Sequence, residues 1–277
     1  MKRFVSFSVS LLAGLNAYAQ EQKVKPEIKL YALNCGEVKV SDFGVFSDTG
    51  DYDGMKADFS DTCFLIQHPK GTFMWDTGLP DALIKGSITN GPFQLSKSVT
   101  IEEQLAKIKM KITDITYVSV SHTHFDHTGG LDNFSNSTWI LNKMELHFAK
   151  TNPLGNADDL STKKHWSAVK KKIINTDYDV FNDGTVKIIK TPGHTPGHQS
   201  LVLQLPKSGT VILSGDVYHQ RSSFEPLRIP VFNTNRADTI ASSERIKGIL
   251  KNTNGRLIIQ HDATDYAGLP KFPLYLE

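Results

Sequence analysis

The sequence predicts a layered α/β fold in which mixed β-sheets are covered by helices on their outer faces. Three observations lead to this prediction. Short apolar segments recur along the chain, helix signals fall before and between them, and no shift in composition marks a domain boundary. Strands that are apolar on both faces are typical of sheets buried between layers. Helices interleaved with such strands are typical of layered α/β domains.

The first nineteen residues have the pattern of a secretory signal peptide. A basic start (Lys2, Arg3) is followed by an apolar stretch and by the small-x-small sequence "AYA". A transmembrane anchor is the alternative, but the apolar run is interrupted by serines and Asn16 and is shorter than the ~20 residues that a bilayer requires. We therefore expect cleavage after Ala19 and an exported protein, periplasmic or secreted. A single domain over residues 20–277 should remain, which is within reach of one layered α/β unit.

The charge of the chain argues against two classes of partner. The formal charge is +2, and it falls to 0 when Lys2 and Arg3 leave with the signal peptide. A neutral chain has no electrostatic reason to bind nucleic acid or an anionic membrane. The lysine-rich run at 151–178 could form an anion-binding patch, but its length favours a solvated helix face. We expect neither nucleic acid nor a membrane as partner, and the oligomeric state stays open.

Nine segments have the apolar, β-branched composition of strands. They occupy residues 29–35, 62–68, 72–78, 115–121, 138–142, 186–191, 200–205, 210–215 and 256–261. The sequence "HPKG" between the second and third of them predicts a tight hairpin turn. No strand is predicted over 79–99, which is interpreted as a long irregular stretch.

Two segments have clear helix signals. Thr100 and Glu103 have the spacing of a capping box and predict a helix through about Met110. Residues 237–252 carry apolar side chains at helical spacing, and Gly255 follows the predicted end.

The chain has two cysteines, Cys35 and Cys63, each in a strand-like apolar segment. In an oxidising compartment they could form a disulfide. They could equally be two small buried apolar residues, since sequence does not fix the geometry that a disulfide requires. Both alternatives stay open.

The segment "SHTHFDHTGG" (121–130) gathers four metal-binding side chains within six residues, directly after the apolar run "ITYVSV". His122 and His124 alternate along the chain and can therefore share one ion. Asp126 and His127 follow on a turn loosened by two glycines and can face a second ion. Imidazole and carboxylate ligands suit zinc, and also iron, manganese or cobalt at higher coordination numbers. This density of ligands predicts a metal-binding loop.

The remaining ligands must come from other parts of the chain, because one loop cannot complete two coordination shells. Three candidates each follow a predicted buried strand, namely His194 in "KTPGHTPGH", Asp216 in "LSGDVYH" and His261 in "IIQHD". If these strand ends meet at one edge of a sheet, seven ligands come together. That number fits two ions that have three histidine or carboxylate ligands each, with one further carboxylate shared between them.

These motifs, in this order, resemble those of the metallo-β-lactamase superfamily. The resemblance extends from about residue 29 to the end, and it implies an αββα sandwich of two mixed sheets with two metal ions at one edge. It further implies that His122, His124 and His194 hold one ion. Asp126, His127 and His261 would hold the other, with Asp216 bridging both. Two divalent cations, with zinc as the first expectation, are therefore the predicted cofactors.

Within the superfamily, "TPGHTPGHQS", "LIQHPKGTFMWDTGLPD" and the late "QHD" look like those of N-acyl homoserine lactonases. The resemblance implies a quorum-quenching hydrolase whose small-molecule substrate is an acylated lactone or ester. In the expected mechanism a metal-bridging hydroxide attacks the lactone carbonyl. Asp126 takes the proton and passes it to the ring oxygen. A thioesterase, an arylesterase, a β-lactamase-like hydrolase and a non-catalytic metal-binding protein are the alternatives.

One departure from the family pattern concerns the substrate contact. The best-known lactonases have a Tyr three residues after the bridging Asp, where it donates a hydrogen bond to the substrate carbonyl. Here Tyr218 is two residues after Asp216 and His219 is three residues after it. Either side chain could stabilise the oxyanion, and the sequence does not choose between them.

Three further residues are given supporting roles. His198, four residues after His194, is expected beside the ligands rather than among them. Asp76 in "WDTG" is expected to support the metal loop through hydrogen bonds. Phe93, in the stretch 79–99, is placed in an acyl-chain pocket because long loops often contribute to binding.

Overall fold

The computed structural model describes residues 26–151, 160 and 163–277. The predicted signal peptide lies outside the described residues. Within the described part of the chain, thirteen strands form two sheets that pack face to face, with helices on both outer faces. The predicted two-sheet α/β sandwich is confirmed.

The larger sheet has eight strands in the order β4-β5-β1-β2-β3-β6-β7-β8. The strands are β1 (Lys29–Val40), β2 (Ala57–His68), β3 (Gly71–Trp75), β4 (Ser87–Asn90), β5 (Phe93–Ser96), β6 (Tyr117–Ser119), β7 (Thr138–Asn142) and β8 (Lys171–Ile174). The strands β3, β6, β7 and β8 run parallel to one another, whereas the other pairs are antiparallel.

The smaller sheet has five strands in the order β13-β12-β11-β10-β9. They are β9 (Tyr178–Asp179), β10 (Val186–Lys190), β11 (Gln199–Leu205), β12 (Gly209–Leu213) and β13 (Arg256–Ile258). Since β11 is antiparallel to both β10 and β12, and β13 is parallel to β12, the C-terminal ends of β10, β12 and β13 meet at one edge. This edge carries the site described below.

The helices are α1 (Ile101–Ala106), α2 (Phe125–Thr128), α3 (Lys143–Thr151), α4 (Arg236–Thr253) and α5 (Ala263–Ala267). The predicted capping box is present: Thr100 Oγ1 accepts from the backbone N–H of Glu103 at 3.0 Å, and Glu103 accepts from the N–H of Thr100 at 2.8 Å. The helix that it begins ends before the predicted Met110. At the end of α4, Asn254 rather than Gly255 takes the left-handed conformation, with φ of 48°.

The two-residue period of the strands explains the layers. On β2, Phe64 and Ile66 face the smaller sheet, where Leu203 and Leu213 join the same cluster of buried side chains. Cys63 and Leu65 alternate with these residues along the strand, so they face away from the smaller sheet and pack with Ile101 and Leu105 of α1. On the other side of the sandwich, Ile212 of β12 packs with Ile246 of α4. Each sheet therefore has two buried faces.

Two parts of the sequence were interpreted incorrectly. The stretch 79–99, predicted as irregular, contains the hairpin of β4 and β5, which pairs with β1. All four residues of β4 are exposed, so the apolar pattern that reveals a buried strand is absent there. The lysine-rich run was expected to be a solvated helix, but Lys171–Ile174 form the edge strand β8. Lysine is common on edge strands because its charge prevents pairing with other chains.

The two cysteines are joined as a disulfide, with 5.8 Å between their Cα atoms. Both are also fully buried in the apolar layer between the larger sheet and α1. The sequence left open a disulfide or two unpaired buried cysteines, and the structure has the disulfide. Among the residues that the structure describes, none of the helices has the length and apolarity that crossing a bilayer requires.

Candidate metal centre

The predicted ligands lie at the ends of four strands that reach the same edge of the sandwich. The loop after β6 carries His122, His124, Asp126 and His127, and the last two belong to the short helix α2. His194 follows β10, Asp216 follows β12 and His261 follows β13. The structure brings together all seven residues that the sequence singled out as metal ligands.

The first ligand group consists of His122, His124 and His194. The distance from His122 Nε2 to His124 Nδ1 is 2.9 Å, and His194 Nε2 lies 3.2 Å and 3.1 Å from these two atoms. A neutral imidazole has one N–H, so three ring nitrogens at these distances cannot all be satisfied by hydrogen bonds to one another. Nitrogens about 3.3 Å apart surround a tetrahedral zinc ion at Zn–N distances of ~2.0–2.1 Å. The group therefore fits a metal ion.

The second ligand group consists of Asp126, His127 and His261. The Nε2 atoms of the two histidines are 3.2 Å apart. Asp126 Oδ1 lies 3.8 Å from His127 Nε2, and its Oδ2 lies 3.7 Å from His261 Nε2. These atoms also converge on one point, with two nitrogens and a carboxylate as the donor set.

Asp216 lies between the two groups and offers one oxygen to each. Its Oδ2 is 3.7 Å from His122 Nε2 and 3.5 Å from His194 Nε2. Its Oδ1 is 3.4 Å from His127 Nε2 and 3.2 Å from His261 Nε2. Oδ1 is buried and has no hydrogen-bond partner among the described residues. A buried carboxylate oxygen without a partner is costly unless a cation compensates it, so the geometry fits a carboxylate that bridges two ions.

The pKa values at the site reflect burial and this carboxylate. Burial lowers the pKa of His122 and of His194 well below the usual histidine value, so both are neutral and can bind a metal. Burial also acts to lower the pKa of His261, but the charge of Asp216 outweighs it and raises the pKa to about 9. Burial acts to raise the pKa of Asp216, and the surrounding histidines hold it well below its usual range. Asp216 is therefore anionic.

Neighbouring polar groups fix the orientation of the ligand side chains. Asp76, which the sequence assigned to support the metal loop, accepts from the backbone N–H of Ser121 at 2.6 Å and lies 3.3 Å from His127 Nδ1. His261 Nδ1 lies 2.9 Å from the carbonyl oxygen of Ser60. This contact directs Nε2 toward the site. Such partners fix the tautomer of a metal-binding histidine.

His198 is beside the ligands, as the sequence suggested, and not among them. Its Nε2 accepts from the backbone N–H of Asp216 at 2.9 Å, and its Nδ1 donates to the carbonyl of Thr191 at 2.9 Å. Burial lowers the pKa of His198 to about 3, so the ring stays neutral. Gly215 makes this contact possible: its φ is 54°, and a Cβ atom there would lie 2.6 Å from His198 Nε2. His198 therefore holds the turn that presents Asp216.

The structure separates the roles of Tyr218 and His219. Tyr218 is fully buried, and its hydroxyl lies 2.8 Å from Ser243 Oγ in the apolar layer under α4. Of the two side chains that the sequence left open for the substrate contact, Tyr218 therefore does not face the ligands. Successive residues of extended chain point to opposite sides, and His219 points to the cavity instead. Its Nε2 lies 3.1 Å from Asp216 Oδ2.

A cavity of about 310 Å³ opens directly on both ligand groups. Its apolar wall consists of Val38, Phe46, Phe59, Phe93, Phe125 and Phe232. Phe93 lines this cavity, although it begins a strand rather than lying in a loop, and its role in an acyl-chain pocket stays a prediction. Asn90, from the same hairpin, and His219 also line the cavity. The cavity combines an apolar wall with a polar floor of ligands, as small-molecule sites commonly do.

Sequence reasoning missed most of the cavity wall, including Phe232, and also missed the supporting residue Glu145. Phe232 belongs to an irregular segment before α4 with no periodic pattern that could have marked it. Glu145 accepts hydrogen bonds from both loops that carry the first ligand group. Its only local signal is its position three residues after Asn142, which resembles a helix-capping pattern. That pattern explains the start of α3 but gives no indication of the hydrogen bonds from Glu145 to Thr123 and Gly197.

Comparison with known proteins agrees with this geometry. The family model described as the metallo-beta-lactamase superfamily matches residues 58–253. The N-acyl homoserine lactonase AttM of Azorhizobium caulinodans is 29% identical over 264 residues, which cover 91% of this chain and 99% of the relative. The N-acyl homoserine lactonase AiiA of Bacillus thuringiensis subsp. kurstaki is 28% identical over 222 residues, covering 77% of this chain and 86% of the relative.

Solved structures of lactonases have a similar fold. An N-acyl homoserine lactone hydrolase with the product N-hexanoyl-L-homoserine bound at its catalytic metal centre is similar with a TM-score of 0.77. It is 26% identical, and the match covers 90% of this chain and 98% of that one. AidC, a dizinc quorum-quenching lactonase, has the same fold, with a TM-score of 0.68 at 18% identity and coverage of 91% and 95%. The matched family model spans most of the chain, and so this protein belongs to the metallo-beta-lactamase superfamily.

Proposed function

We propose that this protein is an exported hydrolase that uses two metal ions to open the lactone ring of N-acyl homoserine lactones. The observation that carries the proposal is the position of Asp216, with one oxygen toward each ligand group, at the floor of a cavity walled by phenylalanine. A substrate with a polar ring and an apolar acyl chain matches these two surfaces. The lactonases named above, at 28–29% identity, support the same substrate class.

The donor sets support two divalent cations, with zinc as the first candidate. Each group supplies histidine nitrogens, with Asp126 and Asp216 adding carboxylate oxygens. Such mixed sets suit zinc and also accept manganese, iron or cobalt. When bound, a pair of such ions supplies hydroxide near neutral pH and stabilises negative charge on oxygen. The dizinc lactonase AidC, which shares the fold, supports this choice of metal.

Asp126 is the residue that we assign to proton transfer. Its carboxylate is 18% exposed and lines the cavity, whereas the carboxylate of Asp216 is only 4% exposed between the two ligand groups. A carboxylate that reaches both the ligands and the substrate can take a proton from the attacking water and deliver it to the ring oxygen. The ring then opens to the free carboxylate and hydroxyl of an N-acyl homoserine.

His219 is assigned to the substrate carbonyl. Its ring lines the cavity and packs at right angles to Phe232, with 6.0 Å between ring centroids. An N–H at this position can donate to the carbonyl oxygen as negative charge develops on it, which lowers the barrier. Of Tyr218 and His219, which the sequence left as alternatives, we thus assign the substrate contact to His219.

Export is proposed from two independent features. The N-terminal segment has the basic, apolar and small-residue regions of a signal peptide. The disulfide between Cys35 and Cys63 also supports an oxidising compartment, because thiols are kept reduced in the cytosol. Cell fractionation, with N-terminal sequencing of the exported form, tests this part of the proposal, and we expect the mature chain to begin after Ala19.

The activity is tested by incubating the purified, zinc-loaded protein with N-acyl homoserine lactones of short and long chain and measuring product masses. We expect a gain of one water, loss of turnover on chelation, and recovery when zinc is added back. Asp126→Asn should lose most of the turnover even in protein that metal analysis shows to hold two ions. Two bound ions without hydrolysis of any lactone would overturn the substrate assignment. Thioesters and aryl esters, measured in parallel, would then identify the other hydrolase classes.

A further inference from the structure

We infer that Glu145 is a positioning residue that joins the two loops of the first ligand group and thereby sets the metal affinity of that group. The inference rests on the proposed function, since it requires that the site binds metal. Glu145 has no contact with the cavity. It acts from behind the ligands, through the backbone and hydroxyl groups of the residues between and after them.

The carboxylate of Glu145 accepts four hydrogen bonds, two on each oxygen. Oε1 accepts from the backbone N–H of Thr123 at 2.9 Å and from its hydroxyl at 3.0 Å. Oε2 accepts from the hydroxyl of Thr195 at 2.8 Å and from the backbone N–H of Gly197 at 2.9 Å. Thr123 lies between His122 and His124, and Thr195 directly follows His194. One side chain therefore connects all three members of the first ligand group.

The surroundings of Glu145 hold it firmly in this position. The residue is 3% exposed and lies in the first turn of α3, where Asn142 Oδ1 accepts from the backbone N–H of Met144 at 2.8 Å. The loop of His194 approaches very closely, because a Cβ atom on Gly197 would lie 2.2 Å from the backbone nitrogen of Glu145. Only glycine permits this approach. The carboxylate is thus fixed by its helix and by the loop that it binds.

The second ligand group has supporting partners other than Glu145. His127 Nδ1 lies 3.3 Å from Asp76 Oδ2, and His261 Nδ1 lies 2.9 Å from the carbonyl oxygen of Ser60. None of these contacts involves Glu145. Loss of the carboxylate should therefore weaken one of the two metal sites and leave the other nearly unchanged. A residue that only stabilised the fold would have no such preference between the sites.

Glu145→Gln is the sharpest test because it keeps the shape and changes one acceptor into a donor. A threonine hydroxyl can rotate and become an acceptor, but the backbone N–H groups of Thr123 and Gly197 cannot. Whichever way the amide turns, its NH₂ faces one of these two N–H groups. We expect the affinity of the first ligand group to fall ~10–100-fold, the range found when supporting partners of metal ligands are removed. The affinity of the second group should change less than about twofold.

The measurement is metal content after dialysis against zinc buffers of graded free concentration, together with visible spectra during cobalt titration. Ser137→Ala is the matched control. It removes a buried hydrogen bond from Ser137 Oγ to the carbonyl of Ile115, at 2.7 Å. Ile115 precedes β6 and Ser137 precedes β7, so this bond lies at the ends of the two strands opposite the ligand loop. We expect this control to bind both ions like the wild type, even when its unfolding temperature is equally lowered.

Two equally tight ions in Glu145→Gln would overturn the inference and leave the proposed function intact. Equal weakening of both ions, or the same weakening in Ser137→Ala, would also overturn it. A wild-type protein that binds no ion would instead refute the proposed function, and the inference with it. If Glu145→Gln does not fold, Thr195→Val removes one of the four donors. We then expect a several-fold loss at the first group, and unchanged affinity would refute the inference.

Discussion

His219 Nε2 lies 3.1 Å from Asp216 Oδ2, on the same oxygen that faces the first ligand group. The imidazole therefore sits between the carboxylate of Asp216 and the cavity, where the carbonyl of a bound lactone would lie. Tyr218, its neighbour in sequence, points the other way and is held by Ser243.

His219→Ala should lower kcat ~100–1,000-fold with both ions still bound, the loss expected when one donor to a developing oxyanion is removed. Tyr218→Phe should keep kcat within a few-fold, because the hydroxyl contacts Ser243 rather than substrate. It should instead lower the free energy of unfolding by about 1 kcal/mol, the usual value of one hydrogen bond. Steady-state kinetics and urea denaturation measure the two effects. The reverse pattern would show that Tyr218 is the catalytic residue.

Phe93 is predicted to set the preference for acyl-chain length. Phe93→Ala removes part of the apolar wall of the cavity, so kcat/KM for long-chain lactones should fall ~10–100-fold, while short-chain lactones are nearly unaffected. Phe272→Ala is the control, since this ring packs against Tyr31 at a centroid distance of 5.6 Å and does not line the cavity. Equal losses for short and long chains would rule out a role for Phe93 in chain-length selection.

The Cys35–Cys63 disulfide is predicted to stabilise the mature protein. Bridges closing loops of this order contribute about 2–4 kcal/mol, and here the two residues are 28 positions apart. A double substitution to serine should lower the unfolding temperature, and reductant should lower that of the wild type alone. Thiol titration in denaturant checks the pairing directly. Two free thiols in protein isolated from an oxidising compartment would contradict it.

His68 is predicted to make stability depend on pH. Burial lowers the pKa of His68 below 6.5, helped by the charge of Lys70 and opposed by Asp183. The ring stacks on Phe181 at 4.1 Å and its Nδ1 accepts from the backbone N–H of Lys70, so the folded state favours the neutral form. As the pH falls below 6.5, the unfolded chain takes up a proton that the folded chain resists. The stability contributed by neutral His68 is therefore present above this pH and is lost below it.

Urea denaturation between pH 5 and pH 8 measures this effect. The free energy of unfolding of wild type should exceed that of His68→Gln most at pH 8, and the difference should shrink toward pH 5. His147→Gln removes an exposed histidine of α3 and controls for the loss of one histidine. A constant difference between wild type and His68→Gln across this range would exclude a titrating role for His68.

Local signals in the sequence single out the seven residues that meet at the candidate metal centre. His122, His124, Asp126 and His127 are adjacent in the chain, and His194, Asp216 and His261 each follow an apolar run that forms a strand. These signals are local. A run of β-branched residues predicts a strand, and a ligand residue that directly follows the strand lies at the edge of the sheet. The sandwich follows from the same runs, because both faces of each sheet are apolar.

The contacts between distant parts of the chain follow from tertiary packing. Which of Tyr218 and His219 faces the cavity depends on the turn after Asp216, and pairing of the two cysteines depends on the register of β1 against β2. The four hydrogen bonds of Glu145 join residues 22, 50 and 52 positions away. Such distances are set by the packing of one sheet on another and by loop geometry, neither of which has a periodic signature in the sequence. The residue types fix the chemistry that is possible here, and packing fixes which side chains meet to perform it.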